Sequence, residues 1–506
     1  MSGDVGEEAR RAPPSESARE VGATEEVLIS RLNWAGLGVA HPSDRHDRGG
    51  GPDHCVPLSR VGERVQVRWR EDARGRLFGE RLSAPVGGWG ALGCDQALRC
   101  AGCTLLHLND EERAHAQVQS HLEALERLCP ESTETTILYP VISGPRDGYR
   151  ARLFARFDLE ECTPEVRERR SAGMRARWGA PIDMTRCPVQ TTGARALLTE
   201  ICEQATKLKW PPELEAVTVQ AMGEAPSGLV VLHARHPDRE ALIESLDLSK
   251  LPIELLSRCG VYLSWLPPHA PRREPPSVRL LCGLPSLPWR CDEGLSWSLS
   301  LPAWLPQSPS TVSALRRLVW EGLGSAPGEQ VFELGCGSGL LSLWLVTRGL
   351  FVRGADLDPE AIEAAQQAYQ SLMKMKRLPL SLNSAPSPVP REQWGALSAT
   401  HQDGRRALAS AAREGLRIDQ LLVHAMRSPL TGLLPLAAHL KIKRVCYVAP
   451  STPSLARDLA EEPRYQLSAL RWLDQTPGTA QLLAVATLDL HDGAVPSLTH
   501  SRPDEG

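Results

Sequence analysis

Nine residues constrain this 506-residue chain more than any others: Val331-Phe332-Glu333-Leu334-Gly335-Cys336-Gly337-Ser338-Gly339. An apolar run enters the motif and an amphipathic stretch, Leu340–Arg348, leaves it, which predicts a strand, a tight turn and a helix. Glycines at alternate positions let the backbone turn sharply and approach a ligand closely. A second apolar run, Leu350–Ala355, ends in Asp356. A carboxylate there can accept hydrogen bonds from both hydroxyls of a ribose. From about Ser310 the pattern alternates helix, strand, glycine turn, helix and strand, as in an α/β parallel sheet. A dinucleotide site uses the same kind of turn and ribose acid, and a doubly wound domain without a ligand shows the same alternation.

Length leaves room for further domains. Residues 1–22 are polar, rich in Glu, Arg, Ser and Ala, and read as disordered rather than as a targeting peptide. Residues 23–84 carry five short strand patterns: Glu26–Leu32, Gly38–His41, Cys55–Leu58, Arg64–Arg70 and Leu77–Leu82. Gly36, Gly38 and Gly49-Gly50-Gly51-Pro52 punctuate them, and five short strands suit a small closed barrel. A cysteine-rich connection and a helix, Asp110–Leu128, follow. Residues 85–300 form an α+β central segment with a long helix over Thr192–Leu208, and Pro267–Pro288 reads as loop. The α/β domain spans 301–492, with a Pro- and Ser-rich surface insertion at Leu378–Gln393, and 493–506 is a tail.

No run approaches 18 apolar residues, so no membrane span is expected. Thirteen cysteines, an odd number at irregular spacing, argue for reduced thiols and a cytoplasmic protein. A net charge of −4 is not that of a strongly basic nucleic-acid binder. Charge is nevertheless uneven: Arg146 to Arg186 holds ten arginines, Arg150, Arg152, Arg156, Arg175 and Arg177 among them, against seven acids. Cys94, Cys100 and Cys103, with Cys187 farther on, could close a tetrahedral site, and on residues alone zinc and an iron–sulfur cluster are equally good readings.

Resemblance narrows these readings. The glycine turn with Glu333 and Asp356 is similar to that of class I S-adenosylmethionine (SAM) dependent methyltransferases, which implies a Rossmann-like domain with Glu333, Gly335, Gly337, Gly339 and Asp356 around the cofactor. Asp403, in His401-Gln402-Asp403-Gly404, stands where that class places an acid near the adenine amine, and would serve equally as a helix N-cap. The block Cys94-x5-Cys100-Ala101-Gly102-Cys103, then Leu106-His107-Leu108, resembles the iron–sulfur signature of RNA uracil-5-methyltransferases. The likeness implies a [4Fe-4S] cluster on Cys94, Cys100, Cys103 and Cys187. Trp34-Ala35-Gly36-Leu37-Gly38-Val39-Ala40 and Val61-Gly62-Glu63-Arg64-Val65 look like that family's TRAM barrel, an OB-type RNA-binding module. Gly148-Tyr149-Arg150-Ala151-Arg152 is similar to a central strand facing RNA. The resemblance covers roughly residues 25–490 and implies an RNA partner, foremost 23S rRNA, and a monomer.

The family mechanism adds a cysteine thiolate to uracil C6, which makes C5 nucleophilic, and a glutamate then removes the C5 proton. The family's Tyr-Val-Ser-Cys-Asn-Pro-x-Thr-Leu-Ala-Arg-Asp-Leu stands here as Tyr447-Val448-Ala449-Pro450-Ser451-Thr452-Pro453-Ser454-Leu455-Ala456-Arg457-Asp458-Leu459. Both flanks match, and Pro450 occupies the nucleophile position. In the closing motif Asp474, Pro477 and Thr479 are kept, while Gln481 replaces the histidine and Leu483 the general base. Asp-Pro-Pro-Arg stands as His424-Ala425-Met426-Arg427, and Phe-Phe-Gln-Val-Asn as Trp304-Leu305-Pro306-Gln307-Ser308. The chain therefore carries no family catalytic residue. Three functions follow: a SAM-dependent RNA methyltransferase with altered acceptor chemistry, a catalytically silent RNA-binding protein (a pseudoenzyme or ribosome-assembly factor), or a structural or redox-sensing iron–sulfur protein whose RNA grip is vestigial. His424, in the vacated acid position, is a candidate replacement group.

Overall fold

A computed structural model describes residues 21–491 apart from 34, 42–53, 72–76, 86–92, 101, 130–135, 158–171, 175–181, 222, 272–275, 291–295, 300–306, 377–388 and 426–428. The disordered segment expected at 1–22 lies almost wholly outside the described residues, as do the tail and most of the insertion at 378–393.

The first five strands, β1 (Thr24–Leu32), β2 (Gly38–His41), β3 (Cys55–Val56), β4 (Arg64–Glu71) and β5 (Leu77–Arg81), close into a barrel in the order β1-β2-β3-β5-β4. Alternation drives closure. On β4, Val65, Val67 and Trp69 point inward to meet Val27, Ile29 and Val56, and the residues between them face out. Helix α1 (Asp110–Leu128) begins at a reciprocal cap: Asn109 Oδ1 accepts from the Glu112 amide (2.9 Å), and Glu112 Oε2 from the Asn109 amide (3.1 Å).

The central part is a seven-stranded sheet built from β7 (Arg152–Phe157), β8 (Ala172–Met174), β9 (Ile182–Asp183), β10 (Leu214–Gln220), β11 (Gly228–Arg235), β12 (Cys259–Leu266) and β13 (Ser277–Gly283). Helix α2 (Thr192–Lys207) covers one face through Ala194, Leu197, Leu198 and Ile201, with the short helices α3 (Arg239–Ser245) and α4 (Ile253–Leu256) beside it. The stretch read as loop at Pro267–Pro288 is thus corrected. Strand β13 pairs antiparallel with β12, and a separate hairpin of β14 (Leu287–Arg290) and β15 (Ser296–Leu299) follows it. Among the described residues, Pro267, Pro268, Pro271, Pro276 and Pro285 lie between strands and Pro288 sits in the two-stranded hairpin, where a missing amide donor is tolerated.

The C-terminal domain runs α5 (Val312–Leu323), β16 (Gln330–Leu334), α6 (Ser342–Thr347), β17 (Phe351–Asp356), α7 (Pro359–Lys376), β18 (Leu397–His401), α8 (Gly404–Arg413), β19 (Gln420–His424), α9 (Leu433–His439), β20 (Arg444–Ala449), α10 (Thr452–Glu461), β21 (Tyr465–Asp474) and β22 (Leu483–Leu490). Its sheet has the order β18-β17-β16-β19-β20-β22-β21-β6. Only β22 runs against the others. The last member, β6 (Ile137–Ser143), comes from the segment assigned to the central part and pairs parallel with β21. Apolar side chains cover both faces of the sheet, as a parallel sheet between helices requires. No helix among the described residues is long and apolar enough to cross a membrane.

Candidate functional site

The glycine turn sits between β16 and α6, at the carboxyl ends of the parallel strands, where open α/β sheets hold ligands. Gly335, Gly337 and Gly339 all have positive φ (71°, 51° and 79°). At Gly335 a Cβ would stand 2.7 Å from the His424 carbonyl oxygen, so glycine is needed for close packing. At Gly337 a Cβ would meet nothing within 4 Å: the turn there faces open space. The two acids are placed differently. Glu333 is fully buried and accepts a hydrogen bond from Ser342 Oγ, and burial pushes its pKa up to about 8. Asp356 accepts from the Gly337 amide (2.8 Å) on Oδ2 and from the Asp358 amide (2.9 Å) on Oδ1. One lone pair on each oxygen is left for a further donor. Asp403 is the N-cap of α8, accepting from the Arg406 amide (3.1 Å).

Strand register brings the aligned positions to the same edge. His424 pairs with Val448, and the Ala425 amide donates to the Val448 carbonyl (3.0 Å). Burial holds the His424 imidazole down to about 4, with Asp356 opposing, so it is neutral at physiological pH. Ala449 pairs with Ala484 as the last rung of the β20–β22 ladder; Pro450 follows Ala449, and Leu483 precedes Ala484 and pairs with Leu473 of β21. Both residues at the end of this ladder, Pro450 and Leu483, carry apolar side chains. Leu483, 8 % exposed, packs with Leu473, Val448 and Val485. Cys446 is fully buried, its thiol turned to the Val319 carbonyl of α5 (3.8 Å) and pushed up to about 12 by burial.

The kept residues of the closing motif act as a clasp. Asp474, 0 % exposed, accepts from Arg113 Nε of α1 (3.3 Å) and from the Thr476 amide (3.1 Å). Tyr149 donates to the Pro477 carbonyl (3.0 Å), and the Leu105 amide to the Gly478 carbonyl (2.8 Å). Gln307 accepts from Arg150 (3.4 Å); Trp304–Pro306, Met426 and Arg427 lie outside the described residues.

Cys94, Cys100, Cys103 and Cys187 share one neighbourhood. Burial first, then the charges of Cys187 and Cys100, push the Cys103 thiol up to about 12, and burial likewise raises Cys94 and Cys187. Among the described residues, however, no three His, Cys, Asp or Glu side chains converge closely enough to hold a metal ion as they stand. The four thiols are gathered but not closed into a cage. Ser342, the hydrogen-bond partner of Glu333, and Leu357 were not singled out from the sequence. Leu357 is 68 % exposed immediately after Asp356. An apolar residue directly after Asp356 was the available signal.

Comparison with known proteins agrees with this geometry. A family model described as "Methyltransferase domain" matches residues 332–387. The chain is 26 % identical over 385 residues to a 23S rRNA (uracil(1939)-C(5))-methyltransferase RlmD of Klebsiella pneumoniae, covering 76 % of this chain and 78 % of that protein. It is 23 % identical over 470 residues to the protein of the same name from Vibrio parahaemolyticus, covering 92 % and 95 %. The crystal structure of Pyrococcus abyssi tRNA (uracil-54, C5)-methyltransferase with S-adenosyl-L-homocysteine superposes with a TM-score of 0.62 at 18 % identity, over 92 % of this chain and 99 % of that one. The C-terminal domain thus has the SAM-dependent methyltransferase fold, and the resemblance to RNA uracil-C5 methyltransferases extends along most of the chain.

Proposed function

Starting from this likeness, we propose that the protein binds SAM and RNA and transfers a methyl group by a route other than covalent uracil-C5 chemistry. The observation that carries the reading is that Pro450 and Leu483, the residues adjoining the last β20–β22 pair, are both apolar and stand beside an intact glycine turn. A thiolate and a carboxylate would both have to stand there to attack C6 and remove the C5 proton. Neither does, and such residues act as a unit, so loss of the nucleophile alone lowers rate by roughly 10⁶ in a well-studied protease.

The residues fit SAM. Gly337 opens the turn, Asp356 has lone pairs for two ribose hydroxyls, and Leu357 offers an apolar face to adenine, with Asp403 near it. When bound, SAM supplies an electrophilic methyl group. The chain's own residues hold and orient the nucleoside, and Glu333, protonated in the core, adds no negative charge behind the turn. His424, neutral and beside the turn, is the candidate proton acceptor for an amine or hydroxyl substrate, and a purely structural imidazole is its alternative.

The four cysteines fit an iron–sulfur cluster in kind. Buried thiols that repel one another as thiolates are relieved by cationic iron. Protein purified without oxygen should then be brown, with about four irons per chain, and Cys100→Ser should bleach it. A colourless protein with one zinc contradicts the cluster.

The functional test is transfer of label from methyl-labelled SAM to total RNA. Labelled RNA other than 5-methyluridine supports the altered acceptor. RNA binding without transfer supports the silent reading, which the apolar packing of Leu483 favours.

A further inference from the structure

Strand β7 buries Leu153, Ala155 and Phe157 beneath α2 and turns Arg152, Phe154 and Arg156 to the opposite face of the central sheet. Across that face the register sets Phe154 beside Thr218, and Ala216 between Arg156 and His233. Thr218 Oγ1 lies 2.8 Å from His233 Nε2 and fixes the imidazole. The Phe154 and His233 rings stand 5.7 Å apart at 61°. Together with Arg156, Arg235, Glu215 and Ser264 they line a recess of about 210 Å³. Farther along the same face, Leu287 covers Val231 and Tyr262. At the recess no described residue does the same, and Phe154 stays 48 % exposed.

A lone exposed phenylalanine means little. This one stands against an imidazole that burial and the neighbouring Arg152 charge hold down to about 4, so the ring is neutral. Arg156 and Arg235 line the recess and Arg152 lies close enough to act on His233, three positive charges against the one negative charge of Glu215. Aromatic faces beside arginines match a base and its phosphates. The face also adjoins the methyltransferase domain: Tyr262 is raised by burial and then by Glu360 of α7, the helix that follows Asp356.

We propose that this recess is a stacking subsite for an unpaired RNA nucleotide, its base against Phe154 and His233 and its phosphates met by Arg152, Arg156 and Arg235. The proposal rests on the RNA-binding reading and places a contact of that class on the central sheet.

The test uses the full chain and a fluorescein-labelled single-stranded RNA of about 12 nucleotides, followed by anisotropy across a salt series. Phe154→Ala should weaken binding roughly tenfold, and Phe154→Trp should retain it. Arg156→Ala should weaken binding and reduce the salt slope by about one. Unchanged affinity of Phe154→Ala, with an unaltered circular dichroism spectrum, would overturn the subsite, as it would if a protein partner occupied the recess. Equal loss in Phe154→Trp would also overturn it, because stacking would not be the cause. If the unaltered chain binds no single-stranded RNA, the RNA reading itself fails. If it binds and Phe154→Ala is silent, only the subsite fails.

Discussion

Glu333 and Asp356 stand on adjacent strands and do opposite work. Glu333 is a buried acid whose pKa rises from 4.5 to about 8. A raised carboxyl pKa stabilises the folded state fully below the unfolded value, and that contribution is lost as pH climbs through the folded value. Glu333→Gln should therefore flatten the decline in stability between about pH 4.5 and 8, by roughly 2–5 kcal/mol. Urea melts at several pH values check this, and parallel curves for the two proteins would contradict it. Asp356 holds the turn through two amides and keeps lone pairs outward. Asp356→Ala should weaken SAM binding by roughly 1.5–3 kcal/mol, about ten- to hundredfold, in calorimetry. Unchanged affinity would make the turn purely structural.

At the scale of elements, α1 latches the segment that closes the site. Arg113 meets the buried Asp474, Gln117 donates to the Thr479 carbonyl (2.9 Å), and His121 Nδ1 lies 2.7 Å from Thr452 Oγ1 of α10. Removing one partner of a buried ion pair leaves the other uncompensated. Arg113→Ala should cost about 3–5 kcal/mol in denaturant unfolding; a loss under about 1 kcal/mol would show that Asp474 carries a proton instead. The start of α1 was legible because its cap is local, Asn109 and Glu112 lying three residues apart. Strand β13 was not, because the surrounding prolines masked a pairing made only by β12. The sheet partner of β6 is likewise set far away, by β21, and no local pattern reports it.

Across the whole molecule, the cofactor turn could be read from one continuous segment, since its strand, glycines and acid lie close in sequence. The apolar residues Pro450 and Leu483 were legible one by one, but their closeness was not, because it follows from the β20–β22 register, whose last pair, Ala449 with Ala484, adjoins both. The Phe154–His233 recess escaped for the same reason: its parts come from strands β7, β10 and β11. Gathering of Cys187 with Cys94, Cys100 and Cys103 also depends on tertiary structure. The proposed reading unites these parts as a methyltransferase frame without the thiolate and base of uracil-C5 chemistry.

The most direct test of that claim is incubation of the unaltered protein with SAM and RNA carrying 5-fluorouridine. A cysteine nucleophile becomes trapped on such RNA, because fluorine at C5 cannot leave as a proton. With Pro450 and Leu483 in place and Cys446 buried, denaturing gels should show no covalent protein–RNA complex. A SAM-dependent, gel-shifted complex would contradict the account and mean that another residue attacks C6.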